Sequence, residues 1–483
     1  MTMHFTGPRG CLVLLLLVIT GCGPVEEQAT EKGSRPRLFD RLSPDSTGIT
    51  FANLLTETED VNYFSYQYAY NGGGVAIGDI DNDGLPDIYF TGNQQADRLY
   101  RNLGGLRFED ITERAIGPSD RGWRTGVTMA DVDADGHLDI HVCRSGPGQD
   151  TSLTRDLLYM NNGDGTFREA AHQWGLADTS HATQATFFDM DGDGDLDMYL
   201  LVHPPERVRG HSNFSALAAV KAHTAPTDRL YRNDGDRFTD VTYAANVQNF
   251  SFGLGVVASD LDRDGRQDIY VANDFDVPDL MYMNAGEGRF MEQAQARTRH
   301  HSWFSMGCDI ADYDNDARPD IMVVDMVAED HERSKTNMGS MSRDQFWMLV
   351  RGGYFFQYMA NTLQRNNGNG TFSDVGQFAG VARTDWSWAP LFADLDNDGW
   401  KDLMVTNGFK RDIRNNDYQQ QVYDSLKSAA AFFRTLDLVP STRLRNYLFR
   451  NRGDLTFADS SLAWGFDEAV NSNGAAYADL DGD

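Results

Sequence analysis

Cysteine is scarce in this chain. Four occur in 483 residues, at 11, 22, 143 and 308. That is too few and too dispersed for a disulfide scaffold, and no pair has zinc-site spacing. Basic residues are also few: 42 Lys and Arg stand against 72 Asp and Glu, for a net charge of −30. Such a balance excludes nucleic acid as a natural partner, because phosphate binding needs a basic face. Long hydrophobic runs are missing as well. The marked one, CLVLLLLVI at 11–19, is roughly half the length that spans a bilayer. There is no G-x-S-x-G elbow, no H-E-x-x-H and no phosphate-binding P-loop, which removes the commonest hydrolase, zinc-protease and nucleotide signatures. Hydrophobic residues at 41% and charged residues at 24% describe a globular chain, long enough for a large core.

What is present is a repeat. DIDNDGLPD at 79–87 recurs as DVDADGHLD, DMDGDGDLD, DLDRDGRQD, DYDNDARPD and DLDNDGWKD, and a seventh copy reads DLDGD at 479–483. The copies begin at Asp79, Asp131, Asp189, Asp260, Asp312, Asp394 and Asp479, between 52 and 85 residues apart. A second motif alternates with them, for example LYRNLGGLRFEDIT at 99–112 and LYRNDGDRFTDVT at 230–242. It is two apolar runs around an Asn/Gly cluster, a hairpin signature. Apolar runs also flank each nonapeptide. A unit therefore has four strands, A to D, with the nonapeptide between A and B. Four strands per unit, seven times, predicts an all-β chain: a seven-bladed β-propeller with four-stranded blades and an incomplete seventh. A β-solenoid is the alternative, but its repeats are shorter. Residues 38–53 precede the first unit and are expected to supply the strand that closes blade seven. The last copy stops before its ninth residue, so the chain is expected to be a fragment of a longer protein.

Four carboxylates at such close range repel one another and stay ionised only around a cation. The pattern D-x-D-x-D-G-x-x-D suits a hard ion with oxygen ligands, and crowded protein cages suit Ca²⁺ better than Mg²⁺. The expected carboxylate ligands are Asp79, Asp81, Asp83 and Asp87; Asp131, Asp133, Asp135 and Asp139; Asp189, Asp191, Asp193 and Asp197; Asp260, Asp262, Asp264 and Asp268; Asp312, Asp314, Asp316 and Asp320; Asp394, Asp396, Asp398 and Asp402; and Asp479, Asp481 and Asp483. Backbone carbonyls are expected from Leu85, Leu138, Asp195, Arg266, Arg318 and Trp400. Asp195 also places an extra carboxylate there. Glycine at the sixth place permits φ > 0; the fifth copy has Ala317 instead, so that loop should bind more weakly. An EF-hand is excluded because its twelfth place needs an acid. Here that place holds Phe90, Val142, Leu200, Val271, Val323 and Val405.

NGGGVAIGDIDNDGLPD at 71–87 and FGLGVVASDLDRDGRQD at 252–268 resemble the FG-GAP and VCBS repeats of integrin-α-like propellers. The resemblance covers almost everything after residue 60. It implies a Ca²⁺ ion in each A–B loop. The hairpin motif and segments such as TDWSWAPLFADLDNDGWKDL further resemble bacterial lipoproteins related to cartilage acidic protein. Those often carry a C-terminal ASPIC/UnbV domain, which is not recognised in these 483 residues.

The N-terminus resembles a bacterial lipobox. Arg9 is followed by the apolar run and then by Ile19-Thr20-Gly21-Cys22. The resemblance implies a signal peptide over 1–21, lipidation of Cys22 and a flexible tether over 22–37. The propeller then spans 38–483. Gly23 after the cysteine points to the outer membrane, with the protein facing the surface or the periplasm. Cys143 and Cys308 lie in apolar runs and read as buried free thiols.

All A–B loops should lie on one face of the ring, and the B–C connections on the other. Three of those connections are long, at about 203–228, 327–360 and 408–446, and loops of that size are usually functional. The third carries an amphipathic helical pattern over 416–438. Trp303, Arg351, Tyr354, Trp386 and Trp388 are candidates for a ligand-binding face, since aromatic platforms suit sugars and protein hot spots. The sequence therefore favours a membrane-anchored, calcium-binding adhesion module for a glycan or protein ligand. The alternative is an enzyme acting on polysaccharide.

Overall fold

Apolar runs on both sides of each complete nonapeptide form antiparallel ladders in the computed structural model. The structure describes residues 37–482 apart from 64, 119–121, 149, 205–226, 251, 338–342, 419–432 and 435. The signal peptide, Cys22 and nearly all of the tether lie outside the described residues, as do Asp483 and most of the helix expected over 416–438. No helix among the described residues is long and apolar enough to cross a membrane.

The sheets follow the repeat. Blade one pairs Val75–Gly78, Asp87–Phe90, Arg98–Asn102 and Phe108–Asp110 in the order A-B-C-D. Blade two pairs Trp123–Ala130, Asp139–Ser145, Leu157–Asn161 and Phe167–Glu169, and blade three His181–Phe188, Asp197–His203, Arg229–Asn233 and Phe238–Asp240. Blade four pairs Gly253–Ser259, Asp268–Asn273, Leu280–Gly286 and Arg289–Glu292, and blade five Gly307–Ala311, Asp320–Val324, Thr362–Asn366 and Phe372–Asp374. Blade six pairs Asp385–Ala393, Asp402–Asn407, Tyr447–Asn451 and Phe457–Asp459, with Met326–Val327 added beside its A strand.

The B strands are buried along their length, as in Asp139–Ser145 and Asp197–His203. That burial explains their unbroken apolar spelling, because each lies between two blades. The D strands in blades one, two and three are three residues long, with only the first residue buried. Short polar edges of this kind resist further pairing.

The structure forms six blades, not the expected seven with the last incomplete. A strand needs a ladder partner, and among the described residues none pairs with 471–479. Residues 471–479 accordingly carry no strand. Residues 38–53 do not form a strand either; Pro44–Thr47 is a helical turn capped by Ser43 and Gly48. Their packing nevertheless repeats that of a D strand and its following turn. A Cβ on Gly465 would meet the Phe39 carbonyl at 2.2 Å, as one on Gly175 would meet Phe238 at 2.6 Å and one on Gly48 would meet Phe108 at 2.4 Å. Phe39 also donates its N–H to Trp464 at 2.9 Å. Ile49, Phe51 and Leu480 together pack on Ile88, Tyr100 and Phe108 of blade one. The two ends of the described chain thus meet between blade six and blade one.

The axis of the ring is closed on the insert side by residues 66–70. Tyr66, Tyr68 and Tyr70 pack among Trp123, Met306, Trp386, Trp388 and Phe409. Tyr66 Oη lies 2.8 Å from Ser145 Oγ, which also lies 2.8 Å from His203 Nε2. Above this plug a cavity of about 310 Å³ is lined by innermost-strand segments such as Gly74, Gly126 and Gly307. Asp309 borders it with its carboxylate committed to the Ile310 and Phe392 amides.

Candidate metal centres

The chain curls around each nonapeptide because its carboxylates capture the loop's own amides. In the first loop Asp79 accepts from Asp83 N–H at 3.1 Å and Gly84 N–H at 2.8 Å. Asp83 accepts from Leu85 N–H at 3.0 Å. Asp87 accepts from Ile80 N–H at 3.0 Å and from Asn102 N–H, on strand C, at 2.7 Å. The other complete loops repeat this scheme, for instance with Asp260, Asp264 and Asp268. The turn demands positive φ at the sixth place: Gly84 has 88° and Gly265 has 88°. Ala317 adopts 65° there, which costs an alanine about 1 kcal/mol.

The aspartate at the third place is different. One oxygen of Asp81, Asp133, Asp314 and Asp396, Oδ1 in each, is buried with no hydrogen-bond partner. Carboxylate oxygens of Asp79, Asp81 and Asp87 lie within 4.8 Å of one another, as do those of Asp131, Asp133 and Asp139, of Asp189, Asp191 and Asp197, of Asp260, Asp262 and Asp268, and of Asp312, Asp314 and Asp316. Burial, reinforced by the neighbouring carboxylates, pushes the aspartate at the ninth place upward. Asp139, Asp197, Asp268 and Asp320 reach about 7, and Asp87 and Asp402 about 6. Converging oxygens, buried acceptors without donors and raised carboxylates are what a hard divalent cation would relieve. The residues present therefore fit such an ion.

One expected carbonyl is misplaced. The seventh residue of the second loop is His137, and Leu138 is the eighth. The Leu138 carbonyl accepts from Asn161 Nδ2 at 3.2 Å, as the eighth-place carbonyl of Pro86 accepts from Asn102 at 3.1 Å. The eighth carbonyl therefore faces the asparagine. In the seventh loop Asp479 accepts from Gly482 N–H at 2.7 Å.

Two residue classes that sequence reading passed over complete these loops. The asparagine that ends strand C, the N of LYRN, is buried in every complete blade and donates to the loop of the preceding one. Asn161 reaches Ile80, Asn233 reaches Val132, Asn284 reaches Met190, Asn366 reaches Leu261 and Asn451 reaches Tyr313, at 2.8–2.9 Å. Its presence in all six hairpins was the available signal. The second class is the arginine before it in blades one, five and six, which reaches the loop's own aspartates.

The expected ligand-face residues divide by burial. Trp303, Tyr354, Trp386 and Trp388 are all buried. Trp303 donates Nε1–H to Asp276 and packs with Leu349 and Tyr354; Trp386 stacks on Phe409 at 3.9 Å; Trp388 donates Nε1–H to the Gly408 carbonyl. They bind inserts to blades. Arg333 joins in, pairing with Asp385 at 2.5 Å and Asp412 at 3.2 Å. Arg351 is exposed. Among the described residues, the exposed large apolar side chains on this insert are instead Trp347 at 41%, Met348 at 54% and Tyr358 at 43%. Trp347, Met348 and Arg351 lie on the helix Arg343–Arg351. Cys143 is buried and free; Cys308 is free and half-buried.

Residues 79–142, 148–200, 260–323 and 349–405 match the model of the FG-GAP-like repeat. The chain carries FG-GAP-like repeats. It is homologous to cartilage acidic protein 1 of Homo sapiens, with 24% identity over 295 residues, covering 58% of this chain and 42% of that protein. The Mus musculus protein gives 23% identity over 295 residues, covering 58% and 43%. The FG-GAP-repeat chain thus matches less than half the length of these curated relatives. Similar solved structures include an Agrocybe aegerita lectin described as recognising non-reducing terminal N-acetylglucosamine. It is 17% identical, with 80% of this chain and 78% of that chain covered and a TM-score of 0.40. The V. cholerae biofilm matrix protein Bap1 gives 14% identity, coverage of 63% and 39%, and a TM-score of 0.30.

Proposed function

We propose that this FG-GAP-repeat propeller is an exported, lipid-anchored binding module, stabilised by Ca²⁺ in its A–B loops, that engages a glycan or protein ligand through its insert face. The observation that carries this reading is the contrast between the two faces. One face presents the same carboxylate loop six times, with buried oxygens that lack a donor in four of them. The other presents connections that differ from blade to blade in length and sequence. Repetition serves a shared structural ion; variation serves recognition. Aromatic and basic groups on the second insert, Trp347, Tyr358 and Arg351, supply the contact chemistry. Cys22 supplies the anchor.

A glycan and protein-ligand array, probed with and without calcium and read for both retention and product release, tests the reading. Calcium-dependent retention without turnover is the expected result. Release of a cleaved product would replace it with a polysaccharide-acting enzyme. Cys22→Ser should move the protein from the membrane fraction to the soluble fraction; persistence in the membrane counts against the anchor.

A further inference from the structure

The six complete loops are alike in their carboxylates and unlike in their arginines. In blade one Arg101 Nε lies 2.5 Å from Asp81 and Nη2 lies 2.9 Å from Asp83. In blade five Arg365 makes the same fork to Asp314 at 2.5 Å and Asp316 at 3.2 Å, and in blade six Arg450 to Asp396 at 2.6 Å and Asp398 at 2.7 Å. Each fork takes the outer oxygen, Oδ2. The inner Oδ1 of Asp81, Asp314 and Asp396 stays buried and without a donor, although the Asp314 side chain is only 3% exposed. The guanidinium therefore flanks the cage without filling it.

Blade two has Met160 at this place. Among the described residues no arginine pairs with Asp131, Asp133, Asp135 or Asp139, yet Asp133 Oδ1 is buried and unpartnered in the same way. Blade three keeps the arginine but bonds it elsewhere: Arg232 Nη2 lies 2.7 Å from Asp234, in the C–D turn, and its charge still acts on Asp191 and Asp197. Blade four has Met283, but two other arginines take the fork's places: Arg297 reaches Asp262 at 3.2 Å from the helix that follows strand D, and Arg266 of the loop itself pairs with Asp264.

We propose that the arginines bonded to the loop carboxylates, most often from strand C, are built-in counter-cations that sort the loops into two affinity classes for a divalent ion. Loop two is the tight class; loops one, four, five and six are the weak class; loop three lies between. The inference rests on the reading of these loops as cation sites. Its physical basis is charge. A divalent ion entering loop two meets four carboxylates with no guanidinium bonded to them, Arg168 acting on Asp133 only from a distance. In loop one it meets the same four with a guanidinium already bonded to two of them, and that fixed positive charge repels the ion across a partly desolvated gap. A fork could also tighten binding by holding the carboxylates in place. Loop two decides between these effects, because Asp133 takes the inward position with no arginine to hold it. Orientation comes from the loop, so the arginine contributes mainly its charge.

The swap that tests this is already present in the repeat, since methionine occupies the arginine's place in blades two and four. Calcium chloride is titrated calorimetrically into the chelator-stripped full chain and into its R101M, R450M and M160R variants. The parent should show two classes of site. R101M and R450M should each move one site from the weak to the tight class, a gain of about tenfold. M160R should move one site the other way. The calcium-free melting temperature of R450M should fall, because the fork stabilises the ion-free loop. R101M and R450M binding no tighter than the parent would overturn the inference, as would M160R binding no weaker. A parent with a single class that neither exchange moves overturns this inference alone. A parent that takes up no calcium overturns the cation reading beneath it as well.

Discussion

Asn102 and Leu480 stand 378 residues apart in sequence and are joined by one hydrogen bond, 2.9 Å from the asparagine Nδ2 to the leucine carbonyl. The same bond joins each later blade to the loop before it, as from Asn161 to Ile80. The seventh nonapeptide thus takes the place before blade one that the first takes before blade two. Thr406 Oγ1, bonded to the Asn473 carbonyl at 3.1 Å, ties the same segment to blade six.

Removing this latch should cost about 1–3 kcal/mol, because a buried carbonyl loses its donor. Asn233→Ala should lower stability by that amount between two complete blades. Asn102→Ala should lower it less globally while loosening residues 476–482. Denaturant unfolding with amide exchange checks both, and unchanged exchange at 476–482 in Asn102→Ala would contradict the closure.

Calcium removal should destabilise the whole ring. Each site filled at a hundredfold excess over its Kd contributes about 2.7 kcal/mol. A melt in chelator should therefore fall well below a melt in calcium chloride, and magnesium should restore little of the loss. Coincident melting curves with and without chelator would remove the structural role proposed for the ion.

Ala317→Gly relieves a left-handed residue at φ 65°. The strain recovered slightly exceeds the extra entropy that glycine gives the unfolded chain. Stability should rise by about 0.5 kcal/mol, and calcium affinity at the fifth loop should rise with it. A destabilised variant would show that the turn tolerates alanine without strain.

Acid should weaken the fold through His203. Burial, helped by the nearby His181 ring, pushes its imidazole down to about 3. Its folded value lies below the ordinary one near 6.5, so the unfolded chain binds the proton first. The stability it contributes is complete above about 6.5 and is lost as pH falls from there toward 3. His203→Gln retains a polar side chain beside Ser145 and removes the titration. Its stability should change less between pH 7 and pH 4 than that of the parent, as chemical denaturation at several pH values will show. An equal slope for both would place the acid sensitivity elsewhere.

The repeat made the blades readable. A loop of alternating aspartates cannot lie in a ladder, so the apolar runs beside it had to be strands, and each B strand begins at the aspartate of the ninth place, as at Asp87 and Asp139. The metal centres were readable for the same reason, since the spacing that bends the chain also converges the oxygens. Other features were hidden. Leu138 was assigned one place out of register, and only the bond from Asn161 shows which way its carbonyl faces. Trp303, Trp386 and Trp388 looked like a ligand platform because a tryptophan in a connection reads alike whether it meets solvent or packs an insert. Composition cannot separate those cases; burial does.

The sequence by itself determined the strand-loop-strand unit, its number of loops and the carboxylate chemistry, because these depend on residues close together along the chain. Tertiary structure decided that the seventh repeat forms no blade of its own, what meets between blade six and blade one, and which aspartates an arginine compensates. Those outcomes depend on contacts such as Asn102 with Leu480 and Arg450 with Asp396. Their partners are distant in sequence, and only the closing of the ring brings them within hydrogen-bond reach.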